Sequence, residues 1–221
     1  MTNDGPVPAG PGVDWDPADH RDRADLVEAA RRLMSAVALT DVPPDELRRV
    51  TEQLDRLTGR LTIATRPRCL RFPLPTAGFQ GRVRGSADPV LGLFNPIAVP
   101  LTPTIGADGT ARGTVTLGPL FEGPPELVHG GYSALLMDGI MGTLVRALGI
   151  NAMTGTLTLR YLAPTPLDRP LELSARAVSR EGRKTTIEGR ITADGRPTVL
   201  GTGIFVSPTG ATPERPSPTR P

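Results

Sequence analysis

Near the start of the chain, apolar residues recur at helical spacing in two places. Leu26, Ala30, Leu33 and Val37 share one face, with Val27, Met34 and Ala38 beside them, which predicts an amphipathic helix of about five turns. Asp16-Pro17 reads as its N-cap and first helical position. A second helix is expected from Pro44, with Leu47, Val50, Leu54 and Leu57 as its stripe and Gly59 as its terminator. Asp45 with Arg49 and Glu52 with Arg56 form favourable pairs on its wet face. Neither helix carries an evident catalytic group, so the two read as a docking appendage.

From Leu91 the pattern changes. Leu91–Pro103 and Gly113–Leu120 read as strands around the turn signal Asp108-Gly109. Leu127–Leu148 is the long apolar helix candidate of this half. Four β-rich segments follow Gly149: Met153–Ala163, Leu171–Val178, Lys184–Thr192 and Thr198–Val206. Turns are expected at Pro164–Pro170, Glu181-Gly182 and Asp194-Gly195, which makes three of the four strands consecutive hairpin partners. The expected class is α+β: a largely antiparallel sheet wrapped around one long central helix, an arrangement that buries both elements.

The domain boundaries follow from these textures. Residues 1–15 are rich in Pro and Gly and read as disordered. Residues 16–59 form the N-terminal helical extension. Residues 60–90 are a basic connector carrying Arg66, Arg68, Arg71, Arg82 and Arg84, either a solvated linker or an anion-binding arm. Residues 91–206 form the main domain, and 207–221 a Pro/Ser/Thr-rich tail expected to be disordered.

Composition narrows the picture. With 25 Gly and 25 Pro among 221 residues, a helical bundle over the whole length is excluded. No apolar run reaches the ~18 residues that span a bilayer, so no membrane partner is expected. The first residues lack a basic stretch followed by an apolar core, and Cys69 is the sole cysteine, so the expected location is a reducing cytoplasm. That lone thiol gives no internal disulfide and no multi-cysteine metal site, and neither metal nor cofactor is expected. The net charge is +2 while the pI is about 9.2, because every basic residue except Lys184 is Arg. Arg, Ala, Gly and Pro share GC-rich codons, which accounts for the bias without a function. With aromatics at 4%, base stacking has little to work with, and no nucleic-acid partner is expected.

Candidate chemistry concentrates between Glu122 and Asp138. From Tyr132 to Leu148 the helix is apolar on nearly every face, with Asp138 and Arg146 its charged members. A lone carboxylate in such surroundings costs several kcal/mol unless it is paired. Asp138 therefore reads either as a structural cap or as a base or nucleophile in a desolvated pocket. His129-Gly130-Gly131 stands where that helix begins, and its free N–H groups suit a carbonyl oxygen that gains negative charge. Gly130 and Asp138 are eight residues apart, ~12 Å along a helix, and on different faces. One helix cannot bring both to a single reaction centre, so a homodimer with a shared site is expected.

The combined motifs resemble those of a known family. Glu122-Gly123-Pro124-Pro125, Val128-His129-Gly130-Gly131, Asp138, Met153-Thr154, Arg160-Tyr161-Leu162-Ala163-Pro164 and Gly182-Arg183-Lys184 are similar to hotdog-fold acyl-CoA thioesterases of the phenylacetate-pathway type. The nearest branch is the one with Gly-Pro-Pro before the His-Gly-Gly motif, as in mitochondrial thioesterase-superfamily members. The resemblance implies a hotdog fold, a homodimer or a tetramer of dimers, and hydrolysis of an acyl-CoA to free acid and CoA. It implies Asp138 as base or nucleophile, the Gly130 amide as carbonyl-polarising donor, Thr154 as the hydroxyl that positions water, and His129 as a supporting residue. Gly131 joins the substrate-binding set. Many relatives carry Asn where this chain has Gly123, a role that would either pass to Glu122 or Asn95 or be absent here. Arg183 and Lys184, at a basic hairpin, are the candidates for the CoA phosphates. The rival readings are a non-catalytic acyl-CoA-binding hotdog protein and a hotdog hydratase or dehydratase.

Overall fold

The computed structural model describes residues 20–70, 78–83, 88–99 and 101–209. Asp16-Pro17, Arg71, Arg84, the expected disordered start and residues 210–221 lie outside the described residues. Among the described residues, three α-helices and seven strands follow in the order α1 (Arg21–Leu39), α2 (Pro44–Leu61), β1 (Gly81–Arg82), β2 (Thr104–Ile105), β3 (Thr110–Thr116), α3 (Gly130–Ala147), β4 (Met153–Tyr161), β5 (Pro170–Glu181), β6 (Lys184–Ala193) and β7 (Arg196–Val206). The strands form one antiparallel sheet in the order β1-β2-β3-β5-β6-β7-β4. α3 packs against β3 to β7, giving the hotdog arrangement that the motifs imply.

The hairpins form where glycine and aspartate allow φ above zero. Asp194 (φ 50°) and Gly195 (φ 73°) turn β6 into β7, a pairing of positive φ values that suits a two-residue hairpin. In the β2–β3 hairpin, Asp108 accepts from Arg112 and Thr110, and these hydrogen bonds hold its carboxyl well below the usual carboxylate range.

α3 lies close on the sheet because the sheet makes room for it. Leu136, Met137, Ile140, Met141 and Leu144 are fully buried. Beneath them Gly189 and Gly201 face each other across β6 and β7. A Cβ on Gly201 would come 2.6 Å from the Met137 methyl, and one on Gly189 2.8 Å from that of Met141. The two methionines sink into the space these glycines leave, and each buried side chain contributes about 1.5–3 kcal/mol.

Several elements differ from the sequence expectation. Over Leu91–Pro103 the described residues form no extended strand; residues 91–98 make turns, with Asn95 N–H donating to Gly92 O and Ala98 N–H to Asn95 O. Its apolar residues are buried all the same, Val99 and Leu101 among them. Pro96 and Pro103 lack the N–H groups that a ladder needs, so this segment enters the core without joining the sheet. The expected strand Gly113–Leu120 is shifted to Thr110–Thr116, and Pro119–Phe121 forms a short 3-10 turn. The central helix begins at Gly130, because Leu127 and Val128 bridge to Pro166 and Glu122. Gly59 does not end α2, which continues to Leu61 before Thr62 closes it through a bond to Thr58 O. Within the 60–90 segment, Gly81 and Arg82 pair with Ile105 and Thr104 at the sheet edge.

α1 docks, but not through the face its leucines define. Leu26, Leu33 and Val37 stay exposed, while Val27 is buried and Arg31 half-buried. Arg31 Nη2 donates to Gly92 O at 2.8 Å and to Asn95 O at 3.0 Å. Two carbonyls in the 92–95 turn, together with the buried Val27, set the docking face. α2 has no buried residue, and its stripe of Leu47, Val50, Leu54 and Leu57 meets no wall among the described residues comparable to the one α1 meets.

Candidate active site

The start of α3 is organised by His129. Its Nδ1 accepts from Gly131 N–H at 3.0 Å, capping the helix. With Nδ1 as acceptor, a neutral imidazole carries its proton on Nε2. The next two amides, of Tyr132 and Ser133, turn back to His129 O. Among the described residues no acceptor meets Gly130 N–H. Gly131 was expected to offer a second free amide; the structure gives that N–H to His129 and leaves Gly130 as the open donor at the positive end of the helix dipole.

Tyr161, in β4, holds this first turn in place. Its hydroxyl donates to Gly130 O at 2.9 Å. A Cβ on Gly130 would stand 3.2 Å from that hydroxyl, so a larger residue would displace the ring. Sequence reasoning quoted Tyr161 within a motif and gave it no role; an aromatic hydroxyl ahead of Leu162-Ala163-Pro164 was the available signal.

Eight residues further along α3, Asp138 Oδ1 accepts from Thr154 Oγ1 at 2.7 Å. Asp138 is therefore neither lone nor, within one chain, desolvated: it is half-buried on a stripe with Ala134, Leu135, Gly142 and Arg146, and Gly131 at its start is exposed. α3 is apolar in composition but buries only the face opposite this stripe. β4 thus meets α3 twice, through Thr154 near its start and through Tyr161 at its end. The two contacts mark two separate places, ~12 Å apart along the helix.

The remaining candidates lie elsewhere. Glu122 Oε1 accepts from Glu126 N–H at 2.6 Å and shapes the loop before α3. Asn95 sits in the turn under α1, its Oδ1 accepting from Ile97 N–H. Gly123 explains its own identity: a Cβ there would come 2.8 Å from His129 Cα, so an Asn at this position requires a different loop. Arg183 lies at the β5–β6 hairpin, where its Nε donates to Ser207 O at 2.8 Å. Lys184 shares a register row with Val206 and Met153, next to the row of Thr185, Phe205 and Thr154. The hairpin is thus at the Thr154 end of the sheet, two strand spacings or ~10 Å across. No group of three His, Cys, Asp or Glu side chains suited to a metal occurs among the described residues, and no described helix is long and apolar enough to cross a membrane.

Comparison with known proteins bears on the family and the fold. The thioesterase superfamily profile matches residues 126–200, from the loop before α3 into β7. Acyl-coenzyme A thioesterase THEM4 of Xenopus laevis is 37% identical over 67 residues, 30% of each chain. THEM4 of Bos taurus is 29% identical over 91 residues, 40% of this chain and 37% of that protein. The matched stretch thus spans about a third of the length of these curated relatives. A crystal structure of a thioesterase superfamily protein, RHA08564, is 35% identical with a TM-score of 0.74, covering 90% of this chain and 94% of the other. Likeness at that identity, over nearly the whole of both chains and including the sheet around α3, places the chain in the thioesterase superfamily.

Proposed function

We propose that the protein is an acyl-CoA thioesterase that works as a homodimer, hydrolysing its substrate to free acid and CoA. The observation that carries this reading is the division of labour along α3: an open amide at Gly130, and a hydroxyl-anchored carboxylate at Asp138 two turns away. The Gly130 N–H would bind the thioester oxygen and stabilise the negative charge it acquires. Thr154 holds one oxygen of Asp138, leaving the other to take a proton from water as that water attacks the carbonyl carbon. Collapse of the tetrahedral adduct breaks the C–S bond, and the proton held on Asp138 passes to the leaving sulfur, so that CoA departs as thiol and the carboxylate is restored.

The partner supplies the missing half. Ala134 lies midway between Gly130 and Asp138 on the half-exposed stripe. An antiparallel helix pair centred there sets Gly130 of one protomer opposite Asp138 of the partner subunit. Gly131, Ala134 and Gly142 are small enough for close approach. β4 is an edge strand of nine residues bonded to β7 on one side, and such an edge is a template for pairing with a second copy. Both features support a two-fold dimer with two sites. His129 supports the first turn, and Arg183 and Lys184 face the phosphate end of CoA.

The test is thiol release from a panel of acyl-CoAs, with hydration of an enoyl-CoA measured in parallel. Release of CoA thiol that is lost in Asp138→Asn supports hydrolysis. Tight binding without turnover would favour a carrier, and enoyl-CoA hydration a different reaction class.

A further inference from the structure

We propose that α1 builds one wall of the acyl-chain site, so that the N-terminal extension sets which chain lengths are hydrolysed; this rests on the thioesterase reading above. Three parts of the chain meet beside the first turn of α3: α1 through Met34 and Ser35, the 96–98 turn through Ile97, and the Phe121–Tyr132 pair. Between them lies an open groove of about 420 Å³, a size suited to a small-molecule site. Its walls are apolar yet face water: Met34 is 36% exposed, Ile97 66% and Leu120 37%.

The position of the groove argues for its occupant. Tyr132 packs edge-on against Phe121 at 4.8 Å and against His129 at 6.5 Å between ring centres. The groove therefore starts at the helix end where Gly130 N–H is open. A thioester carbonyl bound at that amide has two arms, pantetheine on the sulfur side and the acyl chain on the carbon side. Pantetheine carries two amides that need hydrogen-bond partners, whereas an alkyl or aryl chain needs the apolar surface that Met34, Ile97 and Leu120 present. The wall is also fixed. Arg31, on the same helix, is tied to Gly92 O and Asn95 O, so α1 is anchored to the turn that forms the opposite side. Glu28 and Arg32 also line the groove and bring charge to its α1 side.

Met34→Trp and Ile97→Trp each fill the groove from opposite walls, at positions exposed enough to accept a larger ring. The readout is the ratio of kcat/KM for dodecanoyl-CoA to that for acetyl-CoA. Loss of contact with even one or two methylenes changes such a ratio about 10-fold or more, and both variants are expected to lower it by at least that much. Met34→Ala is expected to raise the ratio. If the wild type hydrolyses both substrates and the ratio stays within twofold in all three variants, α1 is not the acyl wall. A uniform loss on both substrates would put the pantetheine arm there instead and overturn the proposal. Absence of thiol release from every acyl-CoA by the wild type would remove the thioesterase reading itself.

Discussion

If Gly130 and Asp138 act on one substrate from two protomers, two dead enzymes should make a live one. Asp138→Asn removes the base and keeps the side-chain volume, with an expected loss of about 10²–10⁴ in turnover. Gly130→Val builds a branched side chain where even a Cβ meets the Tyr161 hydroxyl at 3.2 Å, shielding the amide. Its expected loss is about 10²–10³, the scale of a removed oxyanion donor. A heterodimer of the two variants holds one site with both lesions and one site with neither. Random 1:1 exchange makes half of all dimers mixed, with half their sites intact, so about one quarter of wild-type activity should return. The assay is thiol release after subunit exchange, with mixing followed by mass spectrometry of differently tagged chains. If exchange is complete and activity stays at the mean of the two parents, the site lies within a single protomer and the geometric argument fails.

Thr154→Ala should lower kcat by about 10–100-fold, since a hydrogen bond to a charged group contributes about 1.5–3 kcal/mol; Thr154→Ser should restore most of it, and full activity in the Ala variant would mean that Asp138 needs no anchor. Gly123→Ala forces a Cβ to 2.8 Å from His129 Cα, a backbone atom that cannot swing aside. Its expected effect is a stability loss of about 1 kcal/mol through the weakened cap, read from the denaturant midpoint; an unmoved midpoint would show that the loop yields freely. Arg183→Ala and Lys184→Ala should raise KM for acyl-CoA several-fold with kcat nearly constant, because exposed charge pairs are worth about 0–1 kcal/mol each. The effect should vanish for pantetheine thioesters and fade in high salt, so equal loss on both substrates would exclude this hairpin from nucleotide binding.

What could be read from the sequence, and what could not, follows from the range of the interactions involved. The hairpins β5–β6 and β6–β7 were legible because their turns are local: Gly182, Asp194 and Gly195 supply the positive φ within the turn itself. α3 was legible because its apolar run is longer than any strand in the chain. The 91–103 segment was misread because burial and alternation point to a strand, while the missing donors of Pro96 and Pro103 act only when a partner strand is sought. The docking face of α1 was hidden for a related reason. Arg31 finds its acceptors about sixty residues away in sequence, and nothing in a helical wheel announces two turn carbonyls. Of the candidate site, the motif named His129, Gly130, Asp138 and Thr154 as candidates, but not the use of Gly131 N–H by His129 or the Tyr161 tether, since both are matters of side-chain geometry. One consequence joins these cases. β4 touches α3 at Thr154 and at Tyr161, so a single strand holds both candidate groups, and the same strand is one of the two edges of the sheet among the described residues. Pairing at that edge would therefore align the amide of one protomer with the carboxylate of the other, and anything that loosens β4 should impair dimerisation and catalysis together.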